Sequence, residues 1–589
     1  MSVKLKPAGK ILLIAVVVTA GIFGVKWYQA RPKEAGKAVE LGKVVLPDAP
    51  EASLNANAVL LTLPSSSSTA VNGGSQITWD RMAWNSQFSG MYANGGVRTT
   101  KGSLFDKARL DITYLRQDDC NKQMADLVKF AGEYKTNPNT QGVLITFMGD
   151  GMPAFMTSLS KELEPLGPEY QPIILPIAHG KSFGEDQIMA PASWKQDPHN
   201  AIGKCVAGVL RDGDVNILLK WAGDNGIKVN PDETTYDRDA INLIAANDFL
   251  DAPNKYITGY SEKRKIIEDG KTTGRDTTVG VDGVATWTPG DVNVATKKGG
   301  LVTLANTRQY ASQMPNQTIA IKKWAYDHRT DIENMIIALA EAGDQVRSFT
   351  EARKFAAQVS ASVYQEQNAD YWLKYYNGVE EKDIQGQKVN LGGSAVFNLP
   401  DMANTYGLGN DKVDRYKAVY NTFGNLMVKM YPSIMPSFMP YEKAVDKSFL
   451  LSVISNHPEL LEGKAIETKY AEKITEAVSS RSYHIEFETG SATIRPASYK
   501  MLDEIFESAV VAEGLKLGVY GHTDNNGSDG VNIPLSEKRA AAVKEYLVSK
   551  GLKDGRIETQ GLGSSKPVAD NSTEGGRSRN RRVEIVLGD

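Results

Sequence analysis

The sequence predicts an α/β protein of several domains behind a single membrane helix, and three observations carry that reading. The chain has 589 residues, more than one hydrophobic core organises. Between Ile77 and about Pro432, short apolar strands alternate with helical patterns: Asp111 to Leu115, Val143 to Met148 and Ile173 to Ile177 read as strands set between amphipathic stretches. The length of that stretch predicts two lobes. Near the N-terminus, Lys4, Lys6 and Lys10 precede the apolar run Ile11 to Val25, and Lys26-Trp27-Tyr28 follows as a snorkelling cation with interfacial aromatics.

The apolar run is short beside the ~20 residues a spanning helix needs, so it reads as an anchor or as the core of a cleaved signal peptide. No small-x-small site follows closely, Gly36-Lys37-Ala38 being displaced by a charged stretch, and the uncleaved anchor is the favoured expectation. Its positive flank places residues 1–28 as a cytoplasmic tip and inner-membrane span, with the bulk of the chain in the periplasm. Residues 29–76, rich in Ala, Pro, Ser, Asn and Gly, read as a flexible linker, although the patch Val59 to Leu63 could pair as a strand.

A composition of 41% hydrophobic and 23% charged residues is that of ordinary globular protein, and a net charge of -3 argues against nucleic acid as a partner. The six histidines lack metal-site spacing, and no phosphate loop or cysteine nucleophile constellation occurs. No metal, cofactor or catalytic residue is therefore assigned, and the protein reads as a non-enzyme. Cys120 and Cys205, each near an expected helix start, are read as free thiols, the alternative being a bridge between the lobes.

Toward the C-terminus, the apolar run Leu515 to Tyr520 reads as a strand ending in Gly521-His522-Thr523-Asp524-Asn525-Asn526-Gly527. Ser536 is the expected cap of a helix carrying Ala540, Ala541, Val543, Tyr546 and Leu547, closed by Lys550-Gly551, with Arg539 in its first turn. An Asp at a strand end and an Arg at a helix start suit a zwitterion: Asp accepts from an ammonium while Arg grips a carboxylate bidentately. The alternative is a surface salt bridge of little energetic weight.

From about Arg481 to the end, the chain resembles the peptidoglycan-binding C-terminal domain of the OmpA-like family. The matching residues are Phe487 to Pro496, Gly521 to Asp524, Asn532, Leu535 to Ala540, Gly561 to Gly563, Pro567, Asn571 and Asn580 to Ile585. The resemblance implies a β/α/β/α/β sandwich over 481–589, with Asp524 and Arg539 holding the diaminopimelate of the peptide stem and Thr523, Asn532 and Arg582 lining the same site. The apolar run near the N-terminus contains no carboxylate, which sets aside the ion-driven stators that end in the same domain. Glu488 and Asp524 as paired glycan-cleaving carboxylates give way to the binding reading.

A second, extended resemblance covers 77–432. Ala83-Trp84-Asn85 after the first strand, Lys101 to Asp111, Gly142 to Gly151, Ala285-Thr286-Trp287-Thr288-Pro289, Gly300 to Leu304, Pro315 and the helix Asp331 to Glu341 follow the order seen in type 2 periplasmic solute-binding proteins of the nitrate, sulfonate and thiamine-precursor group. It implies a two-lobed clamp whose cleft is lined by Trp84, Asn85, Gln117, Asp118, Asp150, Ser193 and Trp287. The chain departs from that pattern in the polar insert Pro253 to Asp282, a candidate lid or docking loop. Residues 433–480 are expected to form a helical connector. Two functions follow: an envelope scaffold or sensor that grips peptidoglycan, or a wall-tethered receptor handing a small anionic or heterocyclic solute to an ABC-type permease.

Overall fold

A computed structural model describes residues 74–210 and 213–589. The anchor read over 1–28 and the linker up to residue 73 lie outside the described residues. Among the described residues, no helix is long and apolar enough to cross a membrane.

Two mixed sheets organise the middle of the chain. The first runs in the order Leu110–Arg116, Ser75–Arg81, Gly142–Met148, Asn316–Ile321, Pro172–Leu175, with Asn316–Ile321 antiparallel to both of its neighbours. The second runs Val302–Asn306, Gln187–Ala190, Gly283–Thr286, Cys205–Gly208, Ile241–Ala245, Val229–Asn230. The backbone therefore crosses from the first sheet to the second after Pro172–Leu175 and returns before Asn316–Ile321. Gly142–Met148 is buried nearly throughout, which explains its near-continuous apolar sequence, and Asn316–Ile321 is buried along its whole length although it opens on Asn316, Gln317 and Thr318. On the helix Arg329–Ser348, Ile332, Met335, Ile336, Leu339 and Val346 recur at helical spacing and are buried.

Three expectations are corrected here. The insert Pro253 to Asp282 is not a loop: it carries the hairpin Ser261–Glu268 and Lys271–Gly280, with Thr235–Asp237 as third strand. Asp269 and Gly270 both take positive φ at its turn, as a two-residue hairpin of matching twist requires. Cys205 opens a strand rather than a helix, while Cys120 does begin the helix Cys120–Thr136, and both thiols are free. The connector is helical only at Tyr441–Ala444 and Ser448–Asn456 with a 3-10 turn at Pro458–Glu462, and Ala477–Tyr483 is a strand. Pairing with the C-terminal strand, Arg481 opposite Ile585, overrides the helical propensity of that segment.

That strand opens a four-stranded sheet in the order Ala477–Tyr483, Val583–Gly588, Lys516–Gly521, Ile557–Gly561. Lys516–Gly521 is antiparallel to Val583–Gly588 and parallel to Ile557–Gly561. The helices Tyr499–Val511 and Asp529–Ser549 complete the small domain by packing Leu502, Ile505, Ala540, Val543 and Leu547 into its core.

Candidate functional site

The strand Lys516–Gly521 is buried along its length save Tyr520, and its end delivers His522, Thr523 and Asp524 to the rim of the sheet. The ladder holds this turn on both sides: the His522 amide donates to the Arg582 carbonyl at 3.0 Å and the Thr523 amide to the Gly563 carbonyl at 2.9 Å. Asp524 is only 7% exposed. Its Oδ1 accepts from the Asn526 amide at 3.0 Å, and buried Asn532 donates Nδ2 to the Asp524 and Gly527 carbonyls, each at 3.4 Å.

The helix that faces this turn starts earlier than the sequence indicates. It spans Asp529–Ser549 with Ser528 at its N-cap, so Arg539 lies about three turns in rather than in the first turn. Pro534 sits inside it without breaking it. Ser536 is therefore not the cap; its Oγ donates to the Ile533 carbonyl at 2.8 Å and accepts from the Gly563 amide at 3.0 Å, tying helix to sheet.

Asp524 and Arg539 are not ion-paired. The Asp524 carboxylate takes Arg581 Nη1 at 2.6 Å, and Arg581 Nη2 continues to Glu574 at 2.8 Å. Arg539 donates Nε to the Ser491 carbonyl at 3.0 Å and stands 4.9 Å from the Phe487 ring centre, with no carboxylate within 4 Å among the described residues. Burial lowers its pKa first and repulsion from Arg581 adds to that, against the attraction of Asp524. Arg582 is buried; Nε reaches Ser482 Oγ at 3.1 Å and Nη2 the Lys566 carbonyl at 3.1 Å, while Nη1 has no partner. Thr523 Oγ1 is likewise buried and unpartnered. Beneath them, His522 Nε2 meets Glu584 at 3.1 Å, and hydrogen bonding from His522 brings the Glu584 carboxyl down to about 2.

The rim thus sets the Asp524 carboxylate among three guanidiniums, of which Arg539 and Arg582 have no acid partner among the described residues. Such a set can take an ammonium at Asp524 and a carboxylate at Arg539. Sequence reasoning missed Arg581, Glu574 and Phe487. Strand alternation held the signal for Arg581: it flanks the strand Val583–Gly588 on the face opposite Arg582.

The residues expected to line the middle cleft do not converge. Asp118 and Trp287 line one cavity of about 730 Å³ together with Phe147, Phe249 and Tyr431. There Trp287 stacks on Phe249 at 4.6 Å and its Nε1 is buried without a partner. Gln117, next to Asp118, spends its side chain on the Asp119 amide at 3.2 Å. Trp84 and Asn85 are buried outside that lining, the Trp84 backbone carbonyl accepting from Tyr364 Oη at 3.0 Å and Asn85 Nδ2 donating to Glu185 at 3.4 Å. Asp150 is buried against Gln313 at 2.7 Å, and Ser193 is exposed on the short helix Ala192–Gln196. These four lie outside the lining of that cavity.

The small domain is OmpA-like. Residues 486–581 match the OmpA family model. Over 103 residues the chain is 44% identical to the peptidoglycan-binding protein ArfA of Mycobacterium tuberculosis, covering 18% of this chain and 32% of that one. It is 43% identical over 101 residues to outer membrane protein A of Bordetella avium, 17% of this chain and 52% of that one. The outer-membrane lipoprotein YfiB of Pseudomonas aeruginosa is 44% identical over 94 residues, 16% of this chain and 56% of that one. The chain spans between 32% and 56% of the length of these relatives.

Proposed function

We propose that the C-terminal domain binds peptidoglycan non-covalently, and that the chain is an envelope scaffold presenting its middle domain as a sensor or docking module. The observation that carries this is Arg539, a half-buried guanidinium held by a backbone carbonyl, short of a carboxylate, on the same rim as Asp524. In this reading Arg539 grips the carboxylate at the free end of a diaminopimelate side chain and Asp524 accepts from its ammonium, which competes there with Arg581. Thr523 and Arg582 bring unpartnered donors to the same place, and Asn532 fixes the turn.

The relative named as a peptidoglycan-binding protein supports the ligand, and the relatives named as outer-membrane proteins support an envelope location. Anchoring through residues 11–25 in the inner membrane, with the bulk in the periplasm, completes the reading. The two-sheet arrangement and the cavity at Trp287 favour a small-ligand sensor in the middle. Sedimentation with purified peptidoglycan tests the central claim: the double variant Asp524→Ala with Arg539→Ala is expected to stay in the supernatant. If it sediments as well as the parent chain, the assignment is wrong.

A further inference from the structure

Beside Arg539, on the flank of the helix Asp529–Ser549, lies an open groove of about 680 Å³. Its floor is Ala541 and Ala542, and one wall is the segment 491–494. The other wall is aromatic. Tyr499 and Tyr546 stack with centroids 5.5 Å apart and ring planes 9° from parallel. Tyr546 is pinned, its hydroxyl donating to Asp503 at 2.8 Å and Lys550 Nζ standing 5.3 Å from its ring centre. Tyr499 is 42% exposed, a large aromatic surface left open to solvent. Lys538 and Glu545, one charge of each sign, stand on the rim.

We infer that this groove is a saccharide subsite, and that it seats the glycan strand whose peptide stem is held at Asp524 and Arg539. The inference rests on the wall-binding reading. Continuity argues for it: the Ser491 carbonyl that holds Arg539 belongs to the groove wall, and Lys538 of the rim precedes Arg539 in the helix. A ligand gripped at Arg539 therefore extends directly into the groove. The chemistry argues for it as well. A pyranose has an apolar C–H face and a polar edge, which suits an aromatic platform over small side chains with isolated polar groups at the rim. The stem peptide, rich in carboxylates, would find a groove of no net charge less suitable.

The wall itself is built to stay in place. Ser491 Oγ donates to Thr493 Oγ1 at 3.0 Å and accepts from the Thr493 amide at 3.0 Å, and Phe487 bridges Ile494 across the turn. The subsite is thus formed before any ligand arrives, and little ordering opposes its occupation.

Calorimetric titration of the full chain with two probes tests this: the bare tripeptide L-Ala-D-Glu-diaminopimelate, and the same tripeptide carrying its N-acetylglucosamine–N-acetylmuramic acid disaccharide. The parent chain is expected to bind the second about tenfold tighter, the gain that one aromatic platform supplies. Tyr499→Ala, at an exposed position, is expected to abolish that gain and to leave the bare tripeptide affinity within about twofold. Ala542→Trp, which fills the groove and removes no group, is expected to do the same. Equal affinity of the parent for both probes overturns the subsite while leaving the stem site standing, as does a gain that survives both variants. Failure of both probes to bind the parent overturns the wall-binding reading itself.

Discussion

Arg539 and Arg581 occupy one rim in opposite circumstances. Arg581 is neutralised on both sides, by Asp524 and Glu574, and its pKa is raised by those hydrogen bonds. Arg539, with a carbonyl and an aromatic ring for company, keeps a charge that the fold has left unanswered. The same contrast runs one layer down. Glu584 is held by His522 at 3.1 Å and Ser480 at 2.6 Å, and its carboxyl falls from an ordinary 4.5 to about 2. A folded pKa below the unfolded one contributes stability that is fully present above the unfolded value and is lost as pH falls through the folded value. Glu584 thus adds acid sensitivity in the window from about 4.5 to about 2. Thermal melting of the full chain across that window is expected to show a shallower loss in Glu584→Gln than in the parent; identical slopes would show that Glu584 is not depressed. At this scale the sequence was half legible. The chemistry of Asp524 and Arg539 could be read from residue types at a strand end and on a helix. That Arg581 rather than Arg539 pairs with Asp524 could not, because a side chain's choice between two guanidiniums depends on angstrom-scale placement that motif spacing does not encode.

At the scale of elements, the site depends on how closely the helix Asp529–Ser549 lies on the strand ends. Gly521 and Gly561 make that approach possible. A Cβ on Gly521 would fall inside contact distance of the Ser536 carbonyl oxygen, and one on Gly561 would meet the Glu537 amide nitrogen and the Ile533 carbonyl oxygen. Backbone atoms on a helix do not yield as a side-chain tip does. Gly521→Ala is therefore expected to destabilise the protein by about 1–3 kcal/mol, as overpacking does, and to lift the helix segment that carries Asn532 and Arg539. Peptidoglycan sedimentation should weaken in a variant that still melts cooperatively; unchanged sedimentation would mean that the contact can relax without moving the site. The strand Lys516–Gly521 could be placed from its apolar run almost to the residue. The helix start could not, because Pro534 hides the first turns from a reading based on periodicity: Pro removes one internal hydrogen bond, and the tie of Ser536 to Gly563 keeps the helix running through it. The segment Ala477–Tyr483 misled for the related reason that strand pairing with a distant partner outweighs local helical propensity.

At the scale of the whole molecule, the small domain is not a loose appendage. The helix Arg415–Met430 packs on Tyr499–Val511, with Asn421 Nδ2 donating to Glu507 at 3.0 Å. The Ser312 amide donates to the Val511 carbonyl at 3.2 Å and the Gly514 amide to the Gln309 carbonyl at 2.9 Å, so backbone bonds cross between the domains. The small domain is thus tied to the middle of the chain by a joint of helix packing and backbone hydrogen bonds.

Glu513 is the centre of that joint. It accepts from Arg415 Nη2 at 2.9 Å and from Ser312 Oγ at 2.6 Å. Burial raises its pKa, but the attraction of Arg415 outweighs burial and holds the carboxyl at about 2. Arg415 is shared with Asp411 at 2.7 Å, so removing Glu513 leaves it half-compensated in a largely desolvated interface. Glu513→Ala is expected to cost about 3 kcal/mol at the joint, the low end for breaking a buried pair, and to split a single calorimetric transition into two as the domains unfold separately. The double variant Glu513→Ala with Arg415→Met should recover part of that loss, because no charge is then stranded. A single transition that survives Glu513→Ala unchanged would show that the apolar packing of the two helices, rather than the ion pair, couples wall site to body.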